Sequence, residues 1–237
     1  MPSFAQTHSR VTTYYLLHEE RSILEKLVHA ARWKKPVLIV PALASEFMLP
    51  DNRPVFENIV AQLSEAEYLA QVIFGLDGAS ENDVSTCMDI LQEAGMQNYV
   101  IQWNDGPAIS RIYQSLQEAG FDLSRRGKGR NVFMSFGVAG ALGATAVGLL
   151  DADIRTFKRR QLDRLFYPVL MHNYPFAKAF YARWDGQRLF GRVKRLLLDP
   201  LLIALKRKFS ESKEEKMVRL VDFLLSFDYQ LSGEVCF

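Results

Sequence analysis

The chain has few of the groups that would place it at a glance. Of 237 residues only Cys87 and Cys236 are cysteines and four are histidines. The cysteines do not form C-x-x-C, so a disulfide scaffold, a zinc ribbon and a thioredoxin-type centre lose support, and the reducing cytoplasm is the expected compartment. G-x-x-x-x-G-K-[ST] is absent, as is G-x-G-x-x-G after the first strand-like run, which excludes a P-loop and the dinucleotide fingerprint. The longest apolar stretches, Ala139 to Leu150 and Leu196 to Leu205, fall short of the roughly 20 helical residues that cross a bilayer, and Asp199-Pro200 breaks the second. The N-terminus carries Glu19, Glu20 and Glu25 among its apolar residues, so no targeting or transmembrane segment is expected. Internal repeats and low-complexity tracts are also missing.

What is present is a globular composition, 49% hydrophobic and 12% aromatic, long enough for a sizeable core. The net charge of +2 conceals an asymmetry. Residues 1 to 124 hold 8 basic against 16 acidic side chains, net −8, whereas residues 125 to 237 hold 21 against 11, net +10. A basic half suits nucleic acid, an anionic membrane or small phosphorylated ligands, and charge alone does not choose among them.

The apolar pattern is more decisive. Pro36-Val-Leu-Ile-Val-Pro41, Gln71-Val-Ile-Phe-Gly-Leu76, Asn98-Tyr-Val-Ile-Gln-Trp103 and Thr145-Ala-Val-Gly-Leu-Leu150 read as buried strands. Helical patterns lie between them, over Pro54 to Leu69, Asp83 to Gly95, Pro107 to Gly120 and Gly127 to Gly143, after an amphipathic helix in the first 35 residues. This alternation predicts an α/β fold, a Rossmann-like open and mostly parallel sheet flanked by helices, with ligands at the carboxyl ends of the strands.

Those ends carry three features. Asp77-Gly78-Ala79-Ser80 follows the second strand, where a small-residue turn lets backbone approach a ligand and an acid can accept from a ribose or base; it also suits a plain turn with Ser80 or Asp83 as a helix cap. Gly127-Lys128-Gly129 opens a helix, so free N–H groups and a cation point one way. Asp151-Ala152-Asp153 follows the fourth strand, and its two carboxylates can share one hard cation on a diphosphate or simply cap a strand end. Arg183, Arg188, Arg192, Lys194 and Arg195 form a basic cluster further on, with Arg192 suited to hold a phosphate or carboxylate.

Taken in order, Pro41-Ala42-Leu43, Asp77-Gly78-Ala79-Ser80, Gly127-Lys128-Gly129, Asp151-Ala152-Asp153, Gly191-Arg192-Val193 and Pro200-Leu201-Leu202 resemble the retaining GT-A glycosyltransferases of the glucosyl-3-phosphoglycerate synthase type. The resemblance runs from about residue 36 to the C-terminus. It implies a metal-dependent hexosyltransferase of compatible-solute chemistry, taking a nucleotide sugar, UDP-glucose before a GDP-sugar, and a small phosphorylated acid, 3-phosphoglycerate or glycerate. It implies a donor site of Pro41, Ala42, Leu43, Ser45, Glu46, Asp77, Ser80, Lys128, Asp151 and Ala152. Asp151 and Asp153 would hold Mg²⁺ or Mn²⁺, Asp153 and Lys128 would act in catalysis, and Gly191, Arg192, Val193 and Lys194 would hold the acceptor. The implied division is a helical extension over 1–35, a nucleotide-sugar subdomain over 36–155 and an acceptor-side subdomain over 156–237. No nucleic-acid partner is implied, and assembly with further copies is left open.

Two positions depart from the family pattern. Ser45 stands where the family carries the first of two glutamates, leaving Glu46 for its duty, and Lys194 stands where the family carries threonine. The segment from Phe227 to Phe237 resembles a Leu-Ala-Gly-Glu stretch that the family has in mid-chain, so a missing C-terminal part, with weaker metal binding and impaired turnover, is expected. The alternatives are a nucleotidyltransferase, whose glycine-rich first loop is missing between Pro41 and Glu46, and a nucleotide-binding module without turnover. His172, a lone histidine, reads as a packed or capping residue; Phe176, Phe180, Tyr181 and Trp184 read as core; Lys206-Arg207-Lys208 complements a helix end.

Overall fold

The run Pro36–Leu43 forms β1, one of the two inner strands of four parallel ones in a computed structural model that describes residues 20–179, 197, 199–226 and 235–236. Val37, Leu38, Ile39 and Val40 are fully buried, as a strand covered on both faces must be. β2 (Gln71–Asp77) lies on one side of β1, from Val37 opposite Gln71 to Leu43 opposite Asp77, and β4 (Ala146–Leu149) on the other. β3 (Tyr99–Trp103) completes the parallel part beyond β2. Two-residue strands β5 (Ala177–Lys178) and β6 (Val235–Cys236) add antiparallel pairs, giving the order β3-β2-β1-β4-β6-β5. The mostly parallel α/β sheet expected from the alternation is the sheet observed.

Helices α3 (Arg53–Ser64), α4 (Glu81–Glu93), α5 (Pro107–Glu118) and α6 (Lys128–Ala141) connect the parallel strands. α3 opens with Pro54 in its first turn and stops five residues before Leu69, because Ala66 and Leu69 turn the chain into β2 by hydrogen bonds to Leu63 and Ala66 carbonyls. Pro41 to Leu43 continue the strand and Ala44–Met48 coil into a short helix, α2, whose Phe47 packs on Phe56, and Phe56 in turn on Phe74.

The expected N-terminal helix is α1 (Glu20–Ala30), with Ile23 and Leu27 buried against α7 (Arg159–His172). α7 was not foreseen, since Pro168 interrupts its pattern. Its C-terminus is fixed by Asn173 in the left-handed region and by the ammonium of Lys34, which donates to the Leu170 carbonyl and the Asn173 side chain at 2.6 and 2.8 Å. His172 ends that helix exposed rather than packed in the core, its ring in edge contact with those of Tyr167 and Tyr174.

The chain divides into two units. One takes in Leu17–Lys178 with Gly233–Phe237 and contains the whole sheet; the other takes in Met1–Leu16 with Ala179–Ser232. The described part of the second is a pair of helices, α8 (Asp199–Glu211) and α9 (Glu215–Ser226), joined by an ion pair from Lys206 to Asp222 at 2.5 Å. Among the described residues no helix is long and apolar enough to cross a membrane.

Candidate functional site

Parallel strands deliver their last residues to one edge of the sheet, and three segments meet there. At the end of β1, the carboxylate of Glu46 folds back to accept the Leu43 N–H at 2.9 Å. Burial pushes the Glu46 carboxyl above its ordinary range, and the carboxylates of Asp153 and Asp151 push it further, while the Leu43 N–H and Lys128 pull it down. Four charged groups from β1–α2, the start of α6 and the segment after β4 therefore share one field. Lys128 closes this set with a direct ion pair to Asp151. Ala152 is buried between the two aspartates and Asp153 is exposed.

Gly127 caps α6 with φ 134°, a conformation open to glycine, and no side chain caps the first turn. Its N–H groups leave the helix end beside Lys128, as an anion-binding helix start requires.

At the end of β2, Asp77 is 7% exposed, and burial raises its carboxyl above the ordinary range against the lowering effect of Asn104, Asn131 and Arg130. Gly78 turns the chain at φ 64°, and Ser80 starts α4. The Ser80 hydroxyl accepts the Asp83 N–H at 3.3 Å, while the Ser80 N–H and then its hydroxyl each donate to the Asp83 carboxylate at 2.8 Å and hold that carboxyl below its ordinary range. Ser80 is thus the cap of α4.

Beneath this edge lies a buried polar cluster. Asn131, on the first turns of α6, donates to the Gly75 carbonyl at 2.7 Å. The Gln102 amide donates to Asn104 at 2.8 Å and to Asn131, and Tyr113 donates to Asn104 at 3.0 Å. The Arg130 guanidinium lies 4.5 Å from the centre of the Tyr113 ring, and burial pushes the Tyr113 hydroxyl up to about 12. The sequence pointed to none of these residues except Asp77, although Gln102 to Asp105 stand at the carboxyl end of β3, where no motif marks them.

The structure thus brings Glu46, Lys128, Asp151 and Asp153 together, with Pro41, Ala42 and Leu43 at the end of β1 and Asp77 directly beside Leu43 in the sheet register. Ser45 is exposed on α2. Gly191, Arg192, Val193 and Lys194 lie outside the described residues, as do Arg183, Arg188, Arg195, Phe180, Tyr181 and Trp184. Among the described residues no group of three or more histidine, cysteine, aspartate or glutamate side chains is disposed to hold a metal. The oxygens of Asp151 and Asp153 are of the hard kind that Mg²⁺ and Mn²⁺ take, so they fit as a partial set that a diphosphate would complete.

No family profile matches the chain. It is similar to a glucosyl-3-phosphoglycerate synthase of Persephonella marina, 38% identical over 204 residues, which is 85% of this chain and 48% of the relative. It is also similar to one of Methanococcoides burtonii, 31% identical over 230 residues, 94% of this chain and 54% of the relative. The chain thus spans about half the length of the curated relatives it matches. In fold it is similar to the glucosyl-3-phosphoglycerate synthase of Mycobacterium tuberculosis crystallised with Mn²⁺, UDP-glucose and phosphoglyceric acid, with a TM-score of 0.58 at 19% identity, covering 95% of this chain and 62% of the other. The complex of that enzyme with Mg²⁺ and UDP gives a TM-score of 0.54 at 20% identity, over 95% of this chain and 61% of the other.

Proposed function

We propose, from the premise that this chain is a GT-A glycosyltransferase of the glucosyl-3-phosphoglycerate synthase type, that it transfers glucose from UDP-glucose to 3-phosphoglycerate with retention at the anomeric carbon. The observation that carries the proposal is the meeting of Glu46, Lys128, Asp151 and Asp153 at the carboxyl edge of the parallel sheet. Support for donor and acceptor comes from the curated relatives' activity and from the UDP-glucose and phosphoglyceric acid bound by the Mycobacterium tuberculosis enzyme.

The residues divide the work by their chemistry. Pro41, Ala42 and Leu43 give the uridine a wall of strand backbone and apolar surface, with Asp77 and Ser80 beside it as acceptors. Asp153 and Asp151 would hold Mg²⁺ or Mn²⁺, whose charge offsets that developing on the departing diphosphate. Lys128, exposed and at a helix start, adds a cation and free N–H groups on the same side, so departure needs no proton from the protein. Glu46 takes the place of the missing glutamate at position 45, its carboxylate folded back on the Leu43 N–H within the field of Asp151 and Asp153. Arg192 and Lys194 hold the acceptor anion, the lysine supplying charge where the family has a hydroxyl.

A second reading, nucleotide binding without turnover, is favoured by one observation: Lys128 already neutralises Asp151, which leaves Asp153 as the free carboxylate of the pair. A panel of nucleotide sugars against 3-phosphoglycerate and glycerate, with Mg²⁺ or Mn²⁺, separates the two. Release of UDP that depends on 3-phosphoglycerate supports transfer; tight UDP binding with no release from any pair supports the second reading.

A further inference from the structure

We propose that Asp105 is a positioning residue of the nucleotide-sugar site, tying the turn after β2 to the segment that presents Lys128; this rests on the donor-site reading above. One carboxylate oxygen of Asp105 accepts the N–H groups of Gly78 and Ala79 at 2.7 and 3.4 Å. The positive φ of Gly78 lets two consecutive N–H groups converge on one anion, an arrangement that a charged acceptor stabilises more than a neutral one. The other oxygen meets the Arg126 guanidinium at 3.0 Å. Arg126 stands two residues before Lys128, and Ala79 one residue before Ser80. A single side chain on the turn after β3 therefore fixes both donor segments.

The neighbours of Asp105 are built to hold it still. The Trp103 indole N–H donates to the Ala79 carbonyl at 2.7 Å, so the same peptide segment is gripped through its carbonyl as well as its N–H. The Asn104 N–H donates to the Leu76 carbonyl at 3.0 Å. A Cβ on Gly106 would come within 2.5 Å of the Trp103 ring, so the indole is seated against backbone that only glycine leaves open. Arg126 is 75% exposed, so its pair with Asp105 adds little to stability, and what the contact does is set where the chain before Lys128 runs.

Three variants, Asp105→Ala, Asp105→Asn and Arg126→Gln, test the assignment by UDP titration calorimetry with Mn²⁺ and by amide hydrogen exchange at Gly78 and Ala79. For Asp105→Ala the UDP dissociation constant is expected to rise about 10- to 100-fold, as outer-sphere supports typically do when removed, with faster exchange at both amides. Asp105→Asn keeps an acceptor for Gly78 and should recover most of that loss, to within about threefold of the parent, while its Gly78 amide exchanges measurably faster. Arg126→Gln should leave both amides protected. An Asp105→Ala protein that is folded and binds UDP as the parent does overturns the proposal; should that variant not fold, parental UDP affinity and parental Gly78 exchange in Asp105→Asn overturn it instead. A parent chain that does not bind UDP at all removes the donor-site reading, while the exchange data still decide whether Asp105 holds the turn.

Discussion

The side-chain amide of Asn131 donates to the backbone carbonyl of Gly75 at 2.7 Å, and a Cβ at position 75 would run into the Asn131 side chain. The contact locks the first turns of α6, which begin at Lys128, to the strand that ends at Asp77. Asn131 is 1% exposed, so removing its amide takes from the Gly75 carbonyl a donor that water is not there to replace. Asn131→Ala is expected to cost about 1–3 kcal/mol, and Gly75→Ala about as much through overpacking. Urea denaturation measures both, and a cost near zero for either would show that α6 is not anchored at this point.

Glu46 is held near two other carboxylates at the edge of the sheet. Glu46→Gln keeps an acceptor for the Leu43 N–H and removes the repulsion, so without metal its stability is expected to rise. The sign of the pH dependence follows from the raised carboxyl. The native state holds the Glu46 proton more tightly than the unfolded chain, so the penalty is present at neutral pH and fades as pH falls through the raised native value. Melting curves of the two proteins should therefore converge in mild acid and separate at pH 7.

Tyr113 sets a limit on the alkaline side. Its hydroxyl ionises near 10 in an unfolded chain but is pushed up to about 12 by burial here. The native state thus retains a proton that the unfolded state loses, and stability falls as pH rises from about 10 toward 12. Tyr113→Phe gives up the hydrogen bond to Asn104 and removes this titration. Its denaturation midpoint is expected to decline less steeply than the parent's across that window.

Asp153→Asn should leave the fold intact, because Asp153 is exposed, and weaken Mn²⁺-dependent UDP binding at least about tenfold. Undiminished metal-dependent binding would remove Asp153 from the metal site. Arg192→Ala should raise KM for 3-phosphoglycerate by about tenfold or more with little change for UDP-glucose, since its fork is assigned to the acceptor anion. Equal losses for both substrates would contradict that assignment.

The parallel sheet was legible because its strands are continuous apolar runs separated by helical patterns, and β1 to β4 lie within two residues of where those runs end. α7 was not, since Pro168 and the charges of its first turns mask the helical period. β5 and β6, of two residues each, carry no periodic signal at all. At the site, Lys128 and Asp151 stood out by motif, and their ion pair could only come from folding. Asp105 and Asn131 passed unnoticed because their work is done by hydrogen bonds to backbone far along the chain, which no local spacing encodes.

Proton NMR of a reaction containing the chain, UDP-glucose, 3-phosphoglycerate and Mn²⁺ tests the central claim most directly, because it reads the acceptor, the transferred sugar and the stereochemistry together. The expected result is loss of the UDP-glucose anomeric signal and growth of an α-glucosyl signal on phosphoglycerate. A β-glucosyl product, or UDP-glucose that stays intact with acceptor and metal present, would contradict it.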